Sequence, residues 1–185
     1  MNKSELISLL KSHKFSQRII EAFEKINRRD FVPSLYKPAS YRDMALPIGY
    51  GQTLSQPYTI AFMLTLLNPK DKQKILEVGS GSGYVLALLS VLNPNGKIWG
   101  IERIKELAES SKEKLKEYKN IEVINRDGSK GFEEQSPFDR ILVSASSDNE
   151  IPERLIEQLK INGILIIPIK NSIIKLQKKE TQNKI

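Results

Sequence analysis

From Ile75 to Tyr84 the chain reads Ile-Leu-Glu-Val-Gly-Ser-Gly-Ser-Gly-Tyr. A short apolar run, three alternate glycines and a second apolar run describe a strand that turns sharply into a helix. Glycine permits the tight turn and lets a ligand approach the main chain. A Gly-x-Gly loop alone is a weak signal. Between a strand and a helix it marks a ligand-binding crossover of an α/β sheet. The sequence around it has the same texture. Lys74–Val78, Lys97–Ile101, Ile121–Asn125, Arg140–Ala145 and Ile164–Ile169 read as strands, with Ser172–Gln177 as a further candidate. Helices are expected over Ser82–Leu92, along Ile104, Leu107, Ala108, Ser111 and Leu115, and over Pro152–Lys160. Apolar strands separated by amphipathic helices give a mostly parallel twisted sheet with helices on both faces. Right-handed crossovers make it Rossmann-like, with ligands at the carboxyl ends of the strands.

The N-terminal part has a different pattern. Leu6, Leu9, Leu10 and His13, then Ile19, Phe23 and Ile26 after Ser16, mark two amphipathic helices. Asp30 to Pro57 is irregular, with four prolines and two glycines. So long an irregular stretch in a compact domain is usually functional. A helix follows over Pro57–Leu67, with Ser55 or Gln56 near its cap. The expected organisation is one domain: N-terminal helices and loop over 1–69, the Rossmann-like core over 70–177 and a basic tail over 178–185.

Composition narrows the function. The 185 residues include no cysteine, which removes thiolate metal sites, Fe–S clusters and cysteine nucleophiles. It is compatible with a reducing cytoplasm, the expected location. The first residues lack the apolar core of a signal peptide, and no apolar stretch reaches the length of a membrane span. The net charge is +7, but five lysines and one acid between Lys170 and Ile185 supply +4 of it. That distribution favours a solvated tail over a nucleic-acid arm. No metal site is expected.

The acids around the glycine loop point to the ligand. Glu77 ends the first core strand, Glu102 the second, and Asp127 follows the third. The third glycine of a dinucleotide fingerprint is replaced by Tyr84, and no Gly-Lys-Ser/Thr closes a P-loop. Three carboxylates round one crevice suit a cationic ligand without phosphate. S-adenosyl-L-methionine, with its sulfonium and ammonium, fits that description.

Glu77-Val-Gly-Ser-Gly-Ser-Gly-Tyr84 resembles motif I of S-adenosylmethionine-dependent methyltransferases. More narrowly, the chain resembles the protein-L-isoaspartate O-methyltransferase family over about residues 4 to 170. The narrower likeness rests on Phe31-Val-Pro33, Tyr41-Arg-Asp43 and Leu46-Pro-Ile-Gly-Tyr-Gly-Gln-Thr-Leu-Ser-Gln-Pro57. It continues in Gly100-Ile-Glu-Arg103, Asp127-Gly128, Pro137-Phe-Asp139, Gln158-Leu159 and Asn162-Gly163. The resemblance implies methyl transfer from S-adenosyl-L-methionine to the α-carboxylate of L-isoaspartyl residues in damaged peptides and proteins. The resulting ester collapses to a succinimide that can hydrolyse to aspartate. By position, Ser55 matches the active-site serine, and Gln52, Thr53, Leu54 and Ser55 the loop beside the cofactor. Glu77, Gly79, Ser80 and Gly81 match its methionine side, Glu102 and Arg103 the ribose contact, and Asp127 and Gly128 the adenine contact.

The residue chemistry agrees. A carboxylate nucleophile is already ionised near neutral pH and needs no general base. The single histidine, His13, lies on an N-terminal helix and reads as structural or surface. The hydroxyls of Thr53 and Ser55, and amides at the start of the Pro57 helix, are candidates to orient the acceptor. Ser55 as a plain helix cap is the bland alternative.

The chain departs from the family pattern in three places. Arg126 replaces a glycine and is expected to crowd the adenine edge. Ser144 to Glu150 is more polar than the family's alanine-rich stretch. The chain stops after Lys175-Leu-Gln-Lys-Lys-Glu, where the family continues into a further strand. That ending is expected to endanger substrate binding more than cofactor binding and to expose a sheet edge. Two other readings therefore stay open: a methyltransferase of this scaffold acting on a small acid or RNA, and a degenerate module without turnover. A monomer is expected.

Overall fold

The computed structural model describes residues 1–145 and 150–180. The chain opens with helices α1 (Lys3–Ser12) and α2 (Gln17–Lys25). Asn2 and Glu5 form a reciprocal capping box at the start of α1. Two short 3-10 turns, Arg28–Phe31 and Ser34–Ala39, lead into a small hairpin of β1 (Leu46–Gly49) and β2 (Gln52–Leu54). Helix α3 (Pro57–Leu67) follows. The core then runs β3 (Lys74–Val78), α4 (Tyr84–Leu92), β4 (Lys97–Glu102), α5 (Lys105–Leu115), β5 (Ile121–Asn125) and β6 (Phe138–Val143). It closes with α6 (Glu153–Glu157), β7 (Leu159–Ile169) and β8 (Ser172–Gln177).

Six strands form one sheet in the order β5-β4-β3-β6-β7-β8. The pairings from β5 to β7 are parallel, and β8 turns back antiparallel along β7. The alternate residues of each strand feed two cores. Ile75, Ile98, Leu142, Ile164 and Ile166 pack against α1 to α5. Leu76, Val78, Trp99, Ile101, Ile141, Val143, Leu165 and Ile167 face the opposite side, with Phe132, Phe138 and Leu155 of α6. This period-2 division explains why the strands read as continuously apolar.

The strand order reverses between β3 and β6. The chain leaves β3 for β4 and β5, then returns to the other flank of β3. That switch point leaves a crevice at the carboxyl ends of β3 and β6, where ligands of open α/β sheets bind.

Three expectations are revised. Asp30–Pro57 is not wholly irregular, since it contains the β1–β2 hairpin, whose Leu46 pairs with Leu54. The helix expected over Pro152–Lys160 ends at Glu157, because Leu159 already pairs with Phe138 at the start of β7. The Gln158 side chain fixes that junction by accepting from the Phe132 amide and donating to the Lys130 carbonyl. Lys178 still belongs to the folded core rather than to a free tail: its main chain bonds to Asn162 and Gly163, and its ammonium donates to the Glu157 carbonyl at the surface. His13 caps the end of α1, with its ring 4.7 Å from that of Tyr58. Positions 146–149 of the polar stretch, and the last tail residues including Lys184, lie outside the described residues. Among the described residues no helix is long and apolar enough to cross a membrane.

Candidate active site

The glycine loop springs from the end of β3. Gly79, Gly81 and Gly83 all take positive φ, at 80°, 53° and 87°. At Gly79 a side chain would meet Ala145, whose Cβ would lie 2.9 Å from an added Cβ. The amides of Gly79 and Ser80 both donate to the Ile101 carbonyl of β4, so the loop is anchored across the sheet.

Glu77 stands at the floor of the crevice and is 1% exposed. One carboxylate oxygen accepts a 2.6 Å hydrogen bond from the Ser144 hydroxyl, at the end of β6. The other has no partner among the described residues. Burial pushes the Glu77 carboxyl up to about 8; the Ser144 hydrogen bond opposes the shift and the nearby Glu102 charge adds to it. A buried, unpaired carboxylate oxygen lacks a donor, and a cationic ligand supplies one.

Glu102, at the end of β4, holds the loop from the other side. Its two oxygens accept from the amides of Gly81 and Ile104, both at 2.9 Å. Asp127 is exposed, and hydrogen bonds from Ser129, its amide first, hold its carboxyl below the usual range. Gly128 is buried beneath Val78 and Ile101, where a Cβ would lie 2.5 Å from Val78 Cγ1. Arg103 is exposed beside them.

The opposite wall comes from the β1–β2 hairpin and the start of α3. Thr53, Leu54 and Ser55 line the cleft with Ile48, Ile60 and Met63, across from Glu77, Gly79, Ser80 and Gly81. The cleft and its mouth hold about 480 Å³. Gln52 is turned into the hairpin, where its amide donates to the Tyr50 carbonyl. Ser55 is not a helix cap. Gln56 occupies the cap position without a side-chain bond, and Asp43 accepts from the Tyr58 amide at 2.8 Å. That bond also removes one of the first-turn amides expected to serve an anionic acceptor. Among the described residues the hydroxyls of Thr53 and Ser55 make no hydrogen bond and remain available to a ligand.

The cleft therefore gathers seven of the expected residues: Thr53, Leu54, Ser55, Glu77, Gly79, Ser80 and Gly81. Glu102, Arg103, Asp127 and Gly128 lie at the neighbouring strand ends, outside its lining. Sequence reading missed Ser144 and the apolar lining of Ile48, Ile60, Met63 and Leu142. Ser144 follows a core strand directly, so the strand-end rule points to it. Ile60 and Met63 share one face of α3 at helical spacing.

Arg126 does not line the cleft. Its guanidinium pairs with Glu134 at 2.9 Å and lies over the Phe132 ring, 5.4 Å from its centroid.

The comparisons with known proteins agree with this geometry. The family model described as "Protein-L-isoaspartate(D-aspartate) O-methyltransferase (PCMT)" matches residues 1–185. The chain belongs to the protein-L-isoaspartate O-methyltransferase family. A protein-L-isoaspartate O-methyltransferase of Thermosipho melanesiensis is 44% identical over 173 residues, covering 92% of this chain and 87% of that one. One from Dictyoglomus thermophilum is 47% identical over 170 residues, covering 90% and 76%. Among solved structures, a protein-L-isoaspartate O-methyltransferase superposes with a TM-score of 0.88 at 28% identity, covering 97% of this chain and 61% of that chain. The beta-aspartate methyltransferase (PCMT) of Plasmodium falciparum in complex with S-adenosyl-L-homocysteine gives 0.80 at 29% identity, covering 98% and 96%.

The residues present fit the family's cofactor. The unpartnered Glu77 oxygen and the buried, unpartnered Ser80 hydroxyl offer polar contacts inside the cleft. The positive-φ glycines keep the loop main chain open to a close approach. A buried carboxyl that a cationic ligand would ionise and a side-chain-free wall suit an ammonium-bearing, sulfonium-bearing ligand.

Proposed function

We propose that this protein transfers a methyl group from S-adenosyl-L-methionine to the α-carboxylate of L-isoaspartyl residues in damaged peptides and proteins, initiating their repair. The observation that carries the reading is the cleft itself. Two uncommitted hydroxyls, Thr53 and Ser55, face a glycine loop above a buried, half-paired Glu77. Bound S-adenosyl-L-methionine supplies an electrophilic methyl on a sulfonium.

Every other requirement falls to the chain. Glu77 binds the ammonium end, with Gly79, Ser80 and Gly81 close against it. Glu102 and Arg103 take the ribose, and Asp127 with Gly128 the adenine. Gln52 and Leu54 shape the loop that covers the donor, and Ile48, Ile60 and Met63 exclude water. Thr53 and Ser55 hold the acceptor carboxylate in line with the methyl. The acceptor is ionised already, so the chain moves no proton, and catalysis is positioning in a dry cleft. The proposed partners are isoaspartyl polypeptides rather than nucleic acid, met in the cytoplasm by a monomer.

Transfer of radiolabelled methyl to an isoaspartyl peptide, beside its aspartyl twin, tests this. Selective labelling is expected, and Ser55→Ala should slow it by about tenfold or more. Equal labelling of both peptides would overturn the reading.

A further inference from the structure

Arg28 lies in the 3-10 turn after α2 and is 0% exposed. Among the described residues it has no carboxylate in ion-pair contact. Its guanidinium bonds instead to main-chain carbonyls. Nη1 donates to Ser40 at 2.8 Å and to Arg42 at 3.2 Å. Nη2 donates to Met44 at 3.1 Å and to Ser55 at 3.0 Å. All four N–H bonds of the two terminal nitrogens are used, while Nε has no partner among the described residues. Burying an arginine without a carboxylate is costly unless its hydrogen bonds are made.

The partners are placed in an ordered way. Met44 stands two residues before β1, and Ser55 directly follows β2. One nitrogen thus joins the two ends of the hairpin just beyond its last pair, Leu46 with Leu54. The other nitrogen gathers the two preceding carbonyls of the incoming chain. A two-stranded hairpin of four and three residues is marginal by itself. Its closure here is made by a side chain from the helical segment.

We propose that Arg28 is the positioning residue for the acceptor wall: its guanidinium fixes where Thr53 and Ser55 stand relative to the glycine loop. The inference rests on the reading of those hydroxyls as acceptor ligands. Arg28 touches neither substrate nor cofactor in this scheme and acts through the main chain of residues 40–55. The planar fork is essential to it. A lysine keeps the charge but carries its donors on one nitrogen and cannot span four carbonyls.

Arg28→Lys tests the proposal on three readouts. The expected results are a fall of about tenfold or more in kcat/KM for the isoaspartyl peptide and a clearly smaller loss of S-adenosyl-L-homocysteine affinity, about threefold or less, because the glycine loop and Glu77 keep their own anchors while Gln52 and Leu54 only border the donor. Amide exchange over residues 44–56 should quicken by about tenfold, with β3 and β4 unchanged. Arg28→Gln, which loses the charge as well, should behave the same way or worse. Unchanged peptide kinetics and unchanged exchange in a folded Arg28→Lys protein would overturn the proposal. Loss of cofactor affinity in proportion to loss of peptide activity would overturn it too, since the arginine would then support the whole fold. If the wild type methylates no isoaspartyl peptide, the functional reading fails. The exchange comparison then still decides whether Arg28 fixes the hairpin.

Discussion

The glycine wall of the cleft grows directly out of the sheet, whereas the facing wall is a short separate hairpin tied to a buried arginine. On the glycine side, Gly79 and Ser80 bond to β4, Glu102 accepts from Gly81, and Ser144 reaches Glu77 from β6. Each contact is made at the end of a strand whose register is fixed by several neighbours. On the acceptor side the hairpin is three pairs long, and Arg28 and Asp43 hold it from outside. A site for a constant ligand can be rigid. A wall that must admit many different polypeptides is better built as a separately tethered unit.

Gly79→Val attacks the glycine wall and carries the largest expected effect. The residue needs φ near 80°, and any side chain there runs into Ala145. The backbone strain costs about 1–2 kcal/mol, and the clash comes in addition. Affinity for S-adenosyl-L-homocysteine should fall by about 100-fold, read by calorimetry. Wild-type affinity would show that the loop tolerates displacement, and the contrast between the walls would lose its basis.

Glu77→Gln sharpens the same side. The amide keeps the shape and the Ser144 contact but cannot ionise against the ligand's ammonium as the carboxyl can, so affinity for the ammonium-bearing ligand should drop by about tenfold or more. Stability should respond through pH. The folded protein keeps the Glu77 proton up to about pH 8, whereas an unfolded carboxyl, with its ordinary value of 4.5, has released it. The folded state therefore binds more protons in that window. The contribution of Glu77 is complete below about pH 4.5 and is lost as the pH rises towards 8. Melting curves of wild type should decline across this range more steeply than those of Glu77→Gln. Parallel curves would mean that Glu77 is ionised in the free protein.

These two sides were not equally legible in the sequence. The strands of the core could be read because they are buried on both faces and bounded by glycine, proline or polar turns. Glu77, Glu102 and the glycines followed from strand ends, which are local features. The hairpin could not be read, since three main-chain pairs leave no side-chain period. Leu159 and Lys160 continued a helical pattern that was overruled when Leu159 paired with Phe138 of β6, a tertiary contact. Thr53 and Ser55 stood out through family resemblance, as spacing alone allowed a helix cap for Ser55. Arg28 carried no signal at all: it is one of 29 basic residues, and only the fold shows that it is buried.

Asp43→Ala probes the acceptor wall more gently. It removes the acceptor for the Tyr58 amide at the start of α3 and should cost about 1 kcal/mol, as loss of a helix cap does. Denaturant melts would read this loss. Cofactor affinity should stay unchanged if the two walls are held independently.

Arg126→Gly is expected to do least. The resemblance sets glycine at this position and implies an arginine crowding the adenine edge. In the folded chain the guanidinium is drawn away by Glu134 and lies over Phe132, on the side of the sheet that packs α6. The ion pair is partly exposed, and such pairs contribute about 0–1 kcal/mol. The main-chain amide of Arg126 bonds to the Glu102 carbonyl, a contact that glycine keeps. Restoring glycine should therefore change S-adenosyl-L-homocysteine affinity by no more than about threefold. A gain of tenfold would mean that the side chain leaves Glu134 and enters the cofactor site. The cofactor side of the cleft would then be less firmly fixed than its strand-end contacts indicate.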